Sequence, residues 1–228
     1  RKMDIQQNLE QIREKIRQAC EKTNRNPDEI TIIGVTKYVT IERAKALVDL
    51  GITNLGENRS DGFLQKYEKI EKDATWHFIG TLQSRKVKDV IDYVDYLHSL
   101  DRKSLAKEVN KRAKRPIPCF VQVNVSGEET KHGLAPEEVI PFIEEMEQFP
   151  NVYIIGLMTM APHTDNEGEI RQVFRKLRQL RDEIMEKGFQ YAPCKFLSMG
   201  MSNDYEIAIE EGATHIRLGS TLVGNEWK

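Results

Sequence analysis

The sequence has few cysteines and no long apolar run. Its three cysteines, Cys20, Cys119 and Cys194, lie far apart without a CxxC pair or a Cys/His spacing, so neither a disulfide framework nor a metal site is predicted. No apolar segment approaches the ~20 residues of a membrane span, and the N-terminus has no signal-peptide core. We therefore expect a cytoplasmic protein without a membrane segment.

The sequence also lacks a charge excess of either sign. Its 34 Lys and Arg nearly balance 36 Asp and Glu, which leaves a formal net charge of −2. Such a chain has no global field that would attract nucleic acid or an anionic membrane surface. We expect neither as a partner.

Hydrophobic patterning predicts the fold. The 228 residues fit one large domain, so we expect a single domain over 1–228. Apolar positions at helical spacing predict an amphipathic helix over 3–22, and another segment of this kind covers 171–186. Short apolar segments alternate with helical ones, and the predicted strands are 30–36, 52–56, 75–80, 94–99, 117–125, 152–159, 195–199 and 214–218.

Several of these strands are almost continuously apolar, which is typical of parallel strands buried on both faces. An open doubly wound sheet would show the same alternation. Eight strands without a G-x-G-x-x-G after the first favour instead a (β/α)₈ TIM barrel with an extra N-terminal helix.

Polar residues follow the predicted strands, and in this fold the loops after the strands build the active face. Lys37 follows the first strand and Asn58 the second. An amine in the partly desolvated opening of a barrel can act as a nucleophile. A lysine that merely extends to solvent would look the same in sequence.

The exits of the seventh and eighth strands are rich in small and hydroxyl-bearing residues. These residues are Ser198, Met199, Gly200, Met201, Ser202, Gly219 and Ser220. Backbone N–H groups at the helix starts that follow would bind an anion such as a phosphate monoester. Helix capping, with Asn203 as N-cap and Glu206 three residues on, is a compatible alternative.

Arg217 lies within a strand whose sequence predicts burial, so its guanidinium should have an acceptor. That acceptor could be a structural Asp or Glu, or a pyridine nitrogen. An arginine does not give up its proton, so it would keep a pyridine nitrogen unprotonated and weaken the ring as an electron sink.

Seven motifs in order, within a match that runs from residue 30 to 224, together resemble the pyridoxal phosphate homeostasis (YggS/PROSC) family. They are Val35-Thr36-Lys37, Gly56-Glu57-Asn58, Trp76-His77-Phe78-Ile79-Gly80 with Leu82-Gln83-Ser84, Gln122-Val123-Asn124, Gly156-Leu157-Met158-Thr159-Met160, Leu197-Ser198-Met199-Gly200-Met201-Ser202 and Arg217-Leu218-Gly219. One departure follows Asn58, where Arg59-Ser60 stands in place of the family's more frequent continuation.

The resemblance implies the barrel of fold-type III pyridoxal 5'-phosphate (PLP) enzymes, which is similar to the N-terminal domain of alanine racemase. It implies a Schiff base between PLP and Lys37, with Asn58 near the ring. It also implies contact of Arg217 with the pyridine nitrogen and phosphate binding by 198–202 and 219–220. The family is regarded as a non-catalytic regulator of intracellular PLP.

Two functions from different classes remain open. The first is a PLP carrier or sensor, expected as a monomer, with PLP-dependent apoenzymes as candidate partners. The second is a fold-type III amino-acid racemase. Such racemases add a β-rich domain that supplies a second base, and this sequence ends soon after the eighth strand, so we expect the carrier and no catalytic residues. A barrel aldolase would explain Lys37 and the anion site but not Arg217.

Two further polar residues have structural interpretations. His77 is expected to be a hydrogen-bonded residue of the barrel. Lys131, in the loop after the fifth strand, could place a second amine near the mouth of the barrel, but we expect a solvated loop lysine.

Overall fold

The structure is a computed structural model that describes residues 4–129 and 131–224. Eight parallel strands form a closed barrel in which each strand pairs with the next and the last pairs with the first. The strands are β1 (Thr31–Val35), β2 (Asn54–Glu57), β3 (Thr75–Phe78), β4 (Tyr96–Leu100), β5 (Ile117–Gln122), β6 (Val152–Met158), β7 (Phe196–Ser198) and β8 (His215–Leu218). The predicted (β/α)₈ barrel is confirmed.

Helices surround the barrel in the connections between strands. They are α1 (Ile5–Lys22), α2 (Ile41–Asp49), α3 (Ser60–Ile70), α4 (Val87–Val90), α5 (Lys103–Arg112), α6 (Pro136–Glu145), α7 (Glu167–Glu186), α8 (Tyr205–Glu210) and α9 (Ser220–Val223). Short 3₁₀ turns cover Pro27–Glu29, Glu71–Asp73, Ser84–Lys86 and Met146–Gln148.

The N-terminal helix is confirmed, and it lies against the last two helices of the chain. The carboxylate of Asp4 accepts hydrogen bonds from the first backbone N–H groups of α1 and so fixes where the helix begins. Met3, the first residue of the predicted helix, lies outside the described residues. The buried stripe of α1 packs against α8 and α9, and the Asn8 amide donates to the carbonyl of Leu222 at 2.9 Å. This helix therefore supports the two loops that follow β7 and β8.

The fifth strand is shorter than its apolar pattern predicts. Val123 still donates to the Met158 carbonyl, and the chain then turns away. At the turn the Asn124 side chain accepts from the N–H of Gly127 and donates to the carbonyl of Glu128. An asparagine that bonds to its own loop in this way competes with the strand ladder. The sequence pattern continued to Val125, but the regular strand ends three residues earlier.

Two kinds of feature are absent from the described residues. No helix in 4–129 or 131–224 is long and apolar enough to cross a membrane. Within the same residues, no group of three or more His, Cys, Asp or Glu side chains is placed to hold a metal ion.

Candidate functional site

A cleft of about 550 Å³ opens at the carboxyl ends of the barrel strands. This volume suits a small organic cofactor. Of the residues singled out from the sequence, those that line the cleft are Lys37, Asn58, Met201, Ser202, Arg217, Gly219 and Ser220. The loops after β1, β2, β7 and β8 therefore converge as the barrel topology predicts.

Lys37 lies in the tight turn after β1. The N–H of Val39 donates to the carbonyl of Thr36, and the Thr36 N–H donates to the carbonyl of Gly56 on the neighbouring strand. The Lys37 side chain is half-buried, and its ammonium lies 4.8 Å from the centroid of the Tyr38 ring. The turn therefore holds an amine at the edge of the cleft.

A buried ion pair lies behind that turn. The Glu57 carboxylate accepts the hydroxyl proton of Thr36 and lies 3.1 Å from the ammonium of Lys66 on α3. Burial raises the pKa of Glu57, and the Lys66 charge opposes that rise. The cluster joins the ends of β1 and β2 through Thr36, the residue before Lys37. Sequence reasoning missed it, because the Gly56-Glu57-Asn58 motif was interpreted only for Asn58.

Asn58 approaches a glycine from the next loop. A Cβ added to Gly80 would overlap the backbone of Asn58, so this contact requires glycine. Both residues line the cleft. The Gly80 backbone thus sets the position of Asn58 at the wall of the cleft.

Arg217 forms the floor of the cleft and is 2% exposed. Its guanidinium donates to the Ser198 hydroxyl at 2.6 Å and to the Thr159 carbonyl at 3.0 Å. Burial lowers the pKa of Arg217 to about 10, while the carboxylate of Asp204 opposes the shift. Both acceptors are neutral, and no carboxylate in the described part of the chain forms an ion pair with this guanidinium.

The segment after β7 divides between the cleft and the core. Ser198 and Met199 are fully buried behind the cleft wall, and Gly200 accepts a backbone hydrogen bond from Arg217 at 2.9 Å. Met201 and Ser202 face the cleft. Direct contact of the first three residues with a cofactor stays a prediction, and their position favours a supporting role.

The predicted N-cap in this segment is wrong. Helix α8 begins at Tyr205, so Asp204 and not Asn203 occupies the N-cap position. The Asp204 carboxylate accepts from the N–H of Met201 at 2.8 Å and closes a turn over 201–204. That turn delays the helix and leaves Asn203 at the cleft.

A second pocket of about 300 Å³ adjoins the cleft and shares Asn58, Gly80 and Met160 with it. Lys131 lies in its wall, so the prediction of a solvated loop lysine is wrong. Its side chain is only 25% exposed, because its ammonium pairs with Glu128 and donates to the Ala161 carbonyl, both at 3.1 Å.

His77 is confirmed as a hydrogen-bonded barrel residue, and it is one of three histidines buried in the barrel. Burial lowers the pKa of His215 to about 4 and the pKa values of His77 and His98 well below the ordinary 6.5. These rings are therefore neutral in the folded protein at pH 7.

We expect the free energy of unfolding to decrease as the pH falls from about 7 to about 4. The unfolded chain takes up protons on His77, His98 and His215 near pH 6.5, whereas the folded protein does not, so acid favours unfolding. For His215 alone the difference in pKa corresponds to about 3 kcal/mol. Urea denaturation across this range measures the effect, and His215→Phe should make it shallower. A free energy of unfolding that stays constant over this range would contradict the burial of neutral histidines.

Known proteins resemble this chain over nearly its whole length. The family described as "Alanine racemase, N-terminal domain" matches residues 7–226. The chain is 44% identical to the pyridoxal phosphate homeostasis protein of Aquifex aeolicus, over 97% of this chain and 98% of that protein.

Two solved structures share the fold throughout. An unknown protein from Bifidobacterium adolescentis has a TM-score of 0.91 at 31% identity, with 96% of this chain and 94% of that chain covered. The protein PipY of Synechococcus elongatus, solved with PLP bound, has a TM-score of 0.81 at 28% identity, with 92% of this chain and 100% of that chain covered.

Proposed function

Because the chain belongs to the family of pyridoxal phosphate homeostasis proteins, we propose that it binds PLP in the cleft and takes part in PLP homeostasis as a carrier or regulator. The observation that carries this proposal is the convergence of the Lys37 amine, the Arg217 guanidinium and the loops after β7 and β8 on one cleft.

The residues present fit the three functional parts of PLP. The Lys37 amine suits the aldehyde, with which it would form the Schiff base. The Arg217 guanidinium is a donor for the ring nitrogen. The backbone N–H groups of Ser202 and Asn203 have no acceptor among the described residues, which suits a phosphate at this edge of the cleft. Gly219 and Ser220 complete the proposed phosphate site.

We propose that the bound cofactor does not turn over amino acids. PLP supplies an aromatic ring that can act as an electron sink when it is bound. Arg217 would donate to the ring nitrogen and keep it unprotonated, which would weaken that sink. Among the described residues that line the cleft, the side chains able to act as a base are Lys37 and its neighbour Tyr38. A racemase needs a base on each face of the cofactor.

The remaining proposals concern exchange of the cofactor. The cleft is open at a rim of large apolar side chains, Tyr38, Met160 and Met201, which are 47%, 37% and 42% exposed. An open rim supports release of PLP to PLP-dependent apoenzymes. We propose that the protein releases PLP to these apoenzymes as a monomer in the cytoplasm.

Two glycines of the proposed phosphate site give a matched test. A Cβ on Gly219 would meet only Val35, at the ordinary distance of 3.5 Å, so the added methyl would occupy cleft space without disturbing the core. We expect Gly219→Ala to weaken PLP binding by about tenfold and to leave the melting temperature of the cofactor-free protein nearly unchanged. Titration with PLP, followed by absorbance, measures the affinity.

Gly200→Ala is the control, because it should lower the stability of the cofactor-free protein, which Gly219→Ala should not. Gly200 has a φ of +102°, and a Cβ there would lie 2.7 Å from the Cβ of Ala208. We expect a loss of about 1–3 kcal/mol in the free energy of unfolding. Unchanged PLP affinity in Gly219→Ala would count against a phosphate site at that residue.

A further inference from the structure

A continuous chain of buried hydrogen bonds crosses the barrel interior from Arg217 to Asn54. The Arg217 guanidinium lies 2.6 Å from the Ser198 Oγ, which lies 2.8 Å from the His98 Nδ1. The His98 Nε2 lies 2.8 Å from the His77 Nδ1, and the His77 Nε2 lies 2.8 Å from the Asn54 Oδ1. We call these five residues the interior chain.

The direction of donation along the interior chain follows from its ends. Arg217 can only donate, so the Ser198 oxygen accepts, and the single Ser198 proton is free to go to the Nδ1 of His98. His98 must then carry its own proton on Nε2 and donate it to the Nδ1 of His77. His77 in turn carries a proton on Nε2, which it donates to the Asn54 carbonyl oxygen. The Ser198 hydroxyl hydrogen and the ring N–H of each imidazole then all have an acceptor.

The opposite direction would require the Asn54 amide to be flipped, so that its NH₂ group donates to the His77 Nε2. His98 would then donate to Ser198, whose oxygen would accept two hydrogen bonds. The Ser198 proton would point into the barrel without an acceptor, although Ser198 is fully buried. A buried donor without an acceptor costs about 1–3 kcal/mol. The first direction is therefore the stable one.

Both imidazoles of the chain have to be neutral for this arrangement. Their burial lowers both pKa values well below 6.5. Charge acts in the same sense, because a positive charge on one of these rings would oppose a positive charge on the other, and the Arg217 guanidinium opposes protonation of His98. The His215 ring, whose centroid lies 6.4 Å from both, is itself neutral at pH 7.

We propose that His98 and His77 are positioning residues for Arg217. His98 accepts a hydrogen bond from the Ser198 hydroxyl, and His77 fixes the tautomer of His98 that makes this possible. The Ser198 hydroxyl hydrogen therefore points to His98, and the oxygen is left to accept from the guanidinium. The second anchor, the Thr159 carbonyl, belongs to the backbone, and the Thr159 hydroxyl is bonded to the carbonyl of Val123 at 2.7 Å. The guanidinium is thus held at two points beneath the cleft.

This inference rests on the proposed function only for the statement that Arg217 contacts PLP. The tautomers of His77 and His98 are the same with or without a cofactor. The first test is therefore ¹⁵N NMR of the cofactor-free protein labelled at its five histidines, with His77→Phe and His98→Phe used for assignment. We expect His77 and His98 to be neutral with the proton on Nε2 between about pH 6 and pH 8. A proton on Nδ1 of either ring, or a charged ring at pH 7, would overturn the inference.

The second test measures the effect on the cleft with PLP as the probe. His98 stacks on Phe120 with ring centroids 4.2 Å apart, so His98→Phe removes the polar atoms and keeps a ring in place. We expect this variant to bind PLP about tenfold more weakly and with a shifted absorption band. The amide oxygen in His98→Gln can accept a hydrogen bond from the Ser198 hydroxyl, so this variant should restore much of the affinity. The control is His215→Phe, which removes a buried ring outside the chain and should leave both readouts unchanged.

Equal effects of His98→Phe and His215→Phe, or none from His98→Phe, would contradict the positioning role. If His98→Phe does not fold, Ser198→Ala removes the same link and is expected to cause the same shift of the band. A wild-type protein that fails to bind PLP would refute the proposed function, and the NMR result would still decide the direction of the interior chain.

Discussion

Lys37→Met is expected to abolish the visible absorption band that PLP acquires on binding and to weaken binding by at least about tenfold. The band requires a Schiff base with an amine inside the cleft, and Lys37 is the lysine that lines it among the described residues. Methionine retains most of the length and apolar surface of the side chain, so folding should be little affected. Absorbance spectra and equilibrium dialysis against PLP measure the two effects.

The matched control is Lys131→Met, which removes an amine from the adjoining pocket. The Lys131 ammonium is held by Glu128 and by the Ala161 carbonyl, so we expect the band and the affinity to be retained in this variant. A band that survives in Lys37→Met and disappears in Lys131→Met would reverse the assignment of the two lysines.

The PLP-loaded protein is expected to exchange the α-proton of L-amino acids far more slowly than an ordinary enzyme, which works at about 1 s⁻¹ or faster. A single general acid or base contributes about 10²–10⁴-fold, and the described lining of the cleft holds Lys37 and Tyr38 in one turn instead of two bases on opposite faces. The proposed hydrogen bond from Arg217 to the ring nitrogen would further weaken the ring as an electron sink.

The measurement is incubation with individual L-amino acids in deuterated water, followed by NMR for α-deuteration and by chiral chromatography for the D-isomer. Cofactor-free protein and Lys37→Met are the controls for spontaneous reaction with free PLP. Exchange or racemisation at about 1 s⁻¹ would contradict the carrier function and support the racemase alternative.

The barrel could be predicted from the sequence because its signal is local and repeated. Buried parallel strands such as β1 and β6 are almost continuously apolar, and amphipathic segments such as α1 and α7 separate them. The ends of elements are less predictable, because single side chains decide them. Asn124 ends β5 early, and Asp204 delays α8, in both cases by a hydrogen bond to the local backbone.

The candidate site also contains features that the sequence predicts and features that it does not. Lys37, Asn58 and Arg217 could be identified because strand exits meet in one cleft once the fold is known. The Glu57–Lys66 pair and the contact of His98 with Ser198 depend on side chains from different elements, and His98 and Ser198 lie 100 residues apart in the chain. No local pattern in a single sequence indicates such partners.

Reduction of the PLP-loaded protein with borohydride, followed by peptide mass mapping, tests the central claim most directly. Borohydride converts a Schiff base into a stable secondary amine and so marks the lysine that held the cofactor. We predict one modified residue, Lys37. An adduct on Lys131 or on another lysine, with Lys37 unmodified, would contradict the assignment of the cleft as the PLP site.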